Sequence, residues 1–149
     1  MLVSTARAGL ARAIEMLEDE GLDAVYARHH RLAEGVRQAI SAWGMRPCAV
    51  SPELYSDTIT AVLVPAGCNG TDLVTLAAGK YGVAFGVGLG EVAGKVFRIG
   101  HLGMLTDVMV LSGLATAEMC MADLGWPVKL GSGVAAAQEF YRGSAVPMA

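Results

Sequence analysis

Apolar side chains in the first third of the chain recur at helical spacing. Leu10, Ile14 and Leu17 fall on one face of a stretch that predicts a helix over residues 5–20, with Gly21 as its stop. Directly after it, Leu22, Val25, His29, Leu32, Val36, Ala39 and Trp43 recur at alternating steps of three and four, and Gly44 follows as a C-terminal stop. Arg28, Arg31, Glu34 and Arg37 lie off that stripe. The pattern predicts a long amphipathic helix with one buried side.

The period then changes. Residues 45–50 read as a short extended segment ended by a Ser51-Pro52-Glu53 turn, and residues 56–65 are rich in β-branched side chains and predict a strand. A turn over 67–70, in which Asn69-Gly70 can supply positive φ, leads to a helix capped by Thr71-Asp72 and running to about Lys80. Five glycines follow (Gly82, Gly86, Gly88, Gly90 and Gly94), with a short strand expected over 83–85 and a compact one over 95–99. Thr106 is placed to cap a helix that runs to Leu124, where Gly125 and Pro127 stop it. Gly131-Ser132-Gly133 reads as a flexible joint before a last helix within 132–142. This order predicts an α+β fold, a small mixed or antiparallel sheet with helices packed on one face. With no repeat or linker in view, residues 1–149 are expected to form a single domain.

Composition narrows the function. The 149 residues suit one domain with a sizeable core. A hydrophobic share of 54% against 17% charged is greasy for that size. Either a core built of small residues or a surface that packs on something else would account for it. The net charge of -3 and scattered arginines disfavour nucleic acid as a partner, and no apolar run is long enough to span a membrane. Cys48, Cys68 and Cys120 are an odd number without CxxC spacing, so buried thiols in a reducing, cytoplasmic compartment are expected rather than disulfides.

Most candidate chemistry has a plain structural reading. Gly88-Leu89-Gly90-Glu91-Val92-Ala93 matches the loose dinucleotide fingerprint, but a β-type run follows it where a helix N-terminus is required. His29 and His30 are adjacent on a helix and cannot share a metal from one face; His29 belongs to the buried stripe. His101, after a strand end in a glycine-flanked turn, is the better candidate for the edge of a site. Lys80, Lys95 and Lys129 are the only lysines, and none has the setting of a Schiff-base lysine. Arg98 differs. It is the one charge inside Val96-Phe97-Arg98-Ile99, beside the glycine-rich loop, and a buried guanidinium needs an anion. An internal carboxylate would satisfy it, and so would the carboxylate or phosphate of a ligand.

The run from Phe85 to Gly103, with its glycine loop, GKVFRIG strand and HLG turn, resembles the C-terminal signature of class V, fold-type I aminotransferases. GLDAVYARHHRLAEGVRQAI, YSDTITAVLVP and SGVAAAQEFY strengthen the resemblance, which covers nearly the whole chain and points to the serine–glyoxylate and alanine–glyoxylate type. The resemblance implies transamination with pyridoxal phosphate, from serine or a similar amino acid to glyoxylate. It also implies that Arg98 binds the substrate α-carboxylate, and that the enzyme is a homo-oligomer. It places the Schiff-base lysine in a large N-terminal domain that this sequence lacks, so the chain alone is expected neither to bind the cofactor nor to turn over. A non-catalytic module that binds small carboxylates or oligomerises is the alternative.

Overall fold

The computed structural model describes residues 2–144, with side chains from residue 5; Met1 and residues 145–149 of the expected domain lie outside it. The element order is α1 (Leu2–Glu20), α2 (Leu22–Ala42), β1 (Arg46–Pro47), β2 (Ile59–Leu63), α3 (Gly70–Tyr81), β3 (Gly86–Val87), β4 (Val96–Gly100), α4 (Asp107–Asp123) and α5 (Ser132–Gly143). The strands form one antiparallel sheet in the order β1-β2-β4-β3. The α+β architecture anticipated from the pattern is the one observed.

The α2 stripe is buried as its spacing requires: Val25, His29, Leu32, Val36 and Ala39 all face inward. They join Val62 of β2, Leu73 and Ala77 of α3, Phe97 and Ile99 of β4, Leu114, Ala117 and Met121 of α4, and Ala137 and Tyr141 of α5 in one core. Alternation along the strands assigns the faces. Thr60 pairs with Ile99 and Val62 with Phe97, all four turned toward the helices; Ala61 pairs with Arg98, and Leu63 with Val96, on the opposite side. The helices thus cover one face of the sheet; on the other, Val96 is buried beside the glycine loop while Ala61 and Arg98 stay half-exposed.

Several elements differ from the sequence expectation. The strand expected over 83–85 is displaced to Gly86–Val87, and the first two strands shrink to Arg46–Pro47 and Ile59–Leu63. Pairing, which is set by the partner strand, decides their ends. α3 is capped two residues earlier than expected: Asn69, with an extended φ of −128°, accepts from the Thr71 amide at 3.0 Å. Gly131-Ser132-Gly133 is no flexible joint. Gly131 caps α5 in the left-handed region (φ 85°), and a Cβ on Gly133 would run into the Trp43 indole. The carboxylate of Glu118, only 3% exposed, accepts from the amides of Gly131 (2.5 Å), Gly133 (2.7 Å) and Val134 (3.2 Å) and from Trp43 Nε1 (2.8 Å). An anion at a helix N-terminus satisfies donors that the helix itself leaves open.

The amphipathic stripe of α1 finds no cover. Leu10, Ile14 and Leu17 are 63%, 46% and 40% exposed, and α1 packs chiefly against its neighbour α2.

Candidate functional site on the open face of the sheet

Arg98 sits at the middle of β4 on the open face, between Ala61 of β2 and Gly86 of β3 in register. Its neighbours above and below, Phe97 and Ile99, anchor the strand in the core on the other side. The side chain is half-buried, and its Nε donates to the Val87 carbonyl at 2.9 Å. No carboxylate among the described residues pairs with it. The Nε edge of the planar guanidinium is therefore committed to the backbone, while the edge formed by Nη1 and Nη2 is left for an anion. That edge matches the two oxygens of a carboxylate in a parallel, end-on pair.

The other inward-drawn arginines are all satisfied. Arg31 forms a bidentate pair with Asp107 at 2.5 and 2.8 Å and also reaches the carbonyls of Tyr141 and Ser144. Arg37 joins Glu34 and Asp57 and lies over the Tyr55 ring, and Arg28 grips Glu20 and the Gly103 carbonyl. These hold the helices to one another and to the loops before β2 and after β4. Their guanidinium groups are used up.

The ground around Arg98 is small and apolar. Ala61, Gly86 and Gly100 lie on its face, with Ile59, Leu63 and Val96 beyond them. A shallow depression lined by Pro47, Ala49, Leu54, Tyr55, Ile59 and Ala61 adjoins the face on the β1 side.

The histidines serve the frame. His29 is buried as expected for its stripe; its Nδ1 bonds the Val25 carbonyl at 2.7 Å and its Nε2 accepts from the Gly103 amide at 3.0 Å. His101 is not the edge of a site. It is fully buried, with Nε2 against Thr60 Oγ1 at 2.9 Å and Nδ1 against the Asp57 carbonyl at 3.0 Å. Burial holds its pKa below the usual histidine value, outweighing the hydrogen bond to Asp57. His30 meets Asp57 instead, whose pKa burial would raise but Arg37 and His30 together hold down. Cys120 is buried, Cys48 and Cys68 are half-buried, and all three are free thiols. Among the described residues no group of three or more His, Cys, Asp or Glu is placed to hold a metal. The glycine run leads into a 3-10 turn at Gly90–Val92 and then β4, so no helix N-terminus follows it to receive a nucleotide phosphate.

The α+β arrangement has counterparts among known proteins. No family model matches the chain. Over 134 residues it is 63% identical to an L-aspartate–glyoxylate aminotransferase of Paracoccus denitrificans, covering 90% of this chain and 34% of that protein. Over 141 residues it is 50% identical to a serine–glyoxylate aminotransferase of Hyphomicrobium methylovorum, covering 95% and 35%. The crystal structure of pyridoxamine–pyruvate aminotransferase from Mesorhizobium loti superposes with a TM-score of 0.86 at 34% identity, over 92% of this chain and 35% of that one. These matches identify the chain as a homologue of the C-terminal domain of class V, fold-type I aminotransferases. The relatives it matches include glyoxylate aminotransferases of the serine and aspartate types. The chain spans about one third of the length of the curated relatives it matches.

Proposed function

We propose that this chain is the substrate-clamping domain of a pyridoxal-phosphate-dependent glyoxylate aminotransferase, with Arg98 holding the α-carboxylate of the amino donor and of glyoxylate. The observation that carries the reading is the state of Arg98. A half-buried guanidinium fixed by a backbone carbonyl, with its outer edge unpaired, suits a carboxylate that comes from elsewhere. A strong contact of this kind orients the substrate while its reacting carbon stays free. Serine and aspartate both remain candidate donors, since the relatives include both types.

None of the three lysines has the setting of a Schiff-base lysine. A Schiff-base lysine must be desolvated or set beside the cofactor. Lys80 is on the surface, paired with Asp123 at 2.7 Å, a bond that raises its pKa, and Lys95 and Lys129 are exposed. On this reading the Schiff-base lysine and the cofactor belong to the part of such enzymes that this chain does not span. The bare stripe of α1 supports a large-domain partner, because apolar residues on this scale gain by being covered. A homo-oligomeric, cytoplasmic enzyme fits the same reading; no helix of the described residues is long and apolar enough to cross a membrane.

A chimera in which this chain replaces the matching third of the Paracoccus denitrificans relative tests the clamp. Arg98→Ala removes a charge-assisted pair with a typical cost of about 2–5 kcal/mol, so kcat/KM for glyoxylate should fall roughly 30-fold or more. An active chimera indifferent to that change would refute it. An inactive chimera that still binds small carboxylates would favour the non-catalytic module.

A further inference from the structure

Gly86 faces Arg98 directly across the β3–β4 pair. A Cβ built there would lie 2.9 Å from Arg98 Nε, 3.1 Å from its Cβ and 3.3 Å from its Cζ. The three nearest atoms all belong to that one side chain. Real Cβ contacts are scarcely ever this close, so the arginine can lie flat across β3 only because residue 86 has no side chain. That posture in turn brings Nε onto the Val87 carbonyl, one residue further along the same strand. The bare backbone of Gly86 and the carbonyl of Val87 act as a saddle: one lets the guanidinium down, the other turns it.

We infer that Gly86 is a positioning residue for Arg98, which sets the free Nη1–Nη2 edge of the guanidinium toward an incoming carboxylate. The inference rests on the clamp reading above and deepens it. Backbone conformation does not explain the glycine, because Gly86 is not among the residues with positive φ. Backbone crowding does not explain it either. At Gly88 a Cβ would strike the Val92 carbonyl, and a substitution there would disturb the loop itself. At Gly86 the three nearest atoms are all in the arginine side chain. A bidentate pair tolerates little error in placement, and a displacement on the order of 1 Å can cost up to about a hundredfold in such an interaction.

The test uses the 149-residue chain labelled with 15N-arginine, with glyoxylate as the probe. In Gly86→Ala, exchange of the Arg98 Nε–H with water should speed up about tenfold or more as the Val87 bond is lost. The glyoxylate dissociation constant read at Arg98 should rise about tenfold. Backbone resonances away from β3 and β4 should stay in place, which shows that the variant folds. Gly79→Ala, on the exposed side of α3 where a Cβ meets nothing within 4 Å, should match the wild type in every reading. Gly86→Ala with unchanged exchange and unchanged affinity, while Arg98→Lys loses binding, overturns the positioning role alone. If Arg98→Lys binds glyoxylate as well as the wild type does, the clamp reading itself falls, and this inference with it.

Discussion

Arg31 and Arg98 are both drawn in from solvent, yet they end in opposite conditions. Arg31 closes on Asp107 through two bonds and on two backbone carbonyls; Arg98 meets one carbonyl and no acid. The same contrast separates the two sides of the sheet. On the helix side large side chains interlock, and no buried side-chain polar atom among the described residues lacks a partner. On the open side the residues in register with Arg98 are Ala61 and Gly86, and the guanidinium keeps an unused edge. A structural cation is recognised by being satisfied within its own fold. One that is held but unsatisfied is kept for something that arrives.

The contrast can be broken most forcefully from the core. Phe97 is fully buried, edge-on to Phe85 and Trp126. Phe97→Ala should cost about 3–5 kcal/mol in denaturant unfolding. Such a loss would confirm that the face opposite Arg98 carries the stability.

Next in size is Glu118. Glu118→Ala strands Trp43 Nε1 and the amides of Gly131, Gly133 and Val134, and should lower stability on the order of 2–3 kcal/mol. Glu118→Gln keeps an acceptor oxygen and should lose less. Equal losses would contradict the capping role.

A smaller effect is expected from pH. Because burial lowers the native pKa of His101, the folded chain resists a proton that the unfolded chain accepts near the ordinary value of 6.5. Stability should therefore decline as pH falls below about 6.5 and level off once the pH is beneath the lowered native value. His101→Gln should flatten that part of the profile measured by thermal unfolding. An unchanged slope would mean that other groups, Asp57 among them, set it.

The smallest effect belongs to α1. Leu10→Ser should shift stability within about 0.5 kcal/mol, because Leu10 is 63% exposed in the chain by itself. A larger loss would show that α1 is covered, for instance by a second copy.

Local signals explain what the sequence disclosed. The period of α2 and the β-branched run of β2 can be read without knowing the fold, and so can a single charge in an apolar strand, which singled out Arg98. The two-residue strands β1 and β3 are set by pairing with strands 15 and 10 residues away in register at their closest, so the local pattern marked only an extended segment around β1 and misplaced β3. Gly131-Ser132-Gly133 looked pliant because a glycine chosen for close packing reads the same as one chosen for freedom. Glu118 looked like a surface charge interrupting a greasy helix, since its donors lie 13 to 75 residues away in the chain. His101 sat in a glycine turn that suggested access; Thr60 and the Asp57 carbonyl, brought in by β2, enclose it. Gly86 stood among five glycines with nothing to set it apart until the register placed it under Arg98.

Arg98 is held in readiness while Arg28, Arg31 and Arg37, the other arginines drawn in from solvent, are spent. Titrating the 15N-arginine-labelled wild-type chain with glyoxylate addresses this directly. The Arg98 side-chain resonances should move and saturate while those of Arg28, Arg31 and Arg37 stay where they are. Uniform small drifts across all four, or a motionless Arg98, would contradict the account.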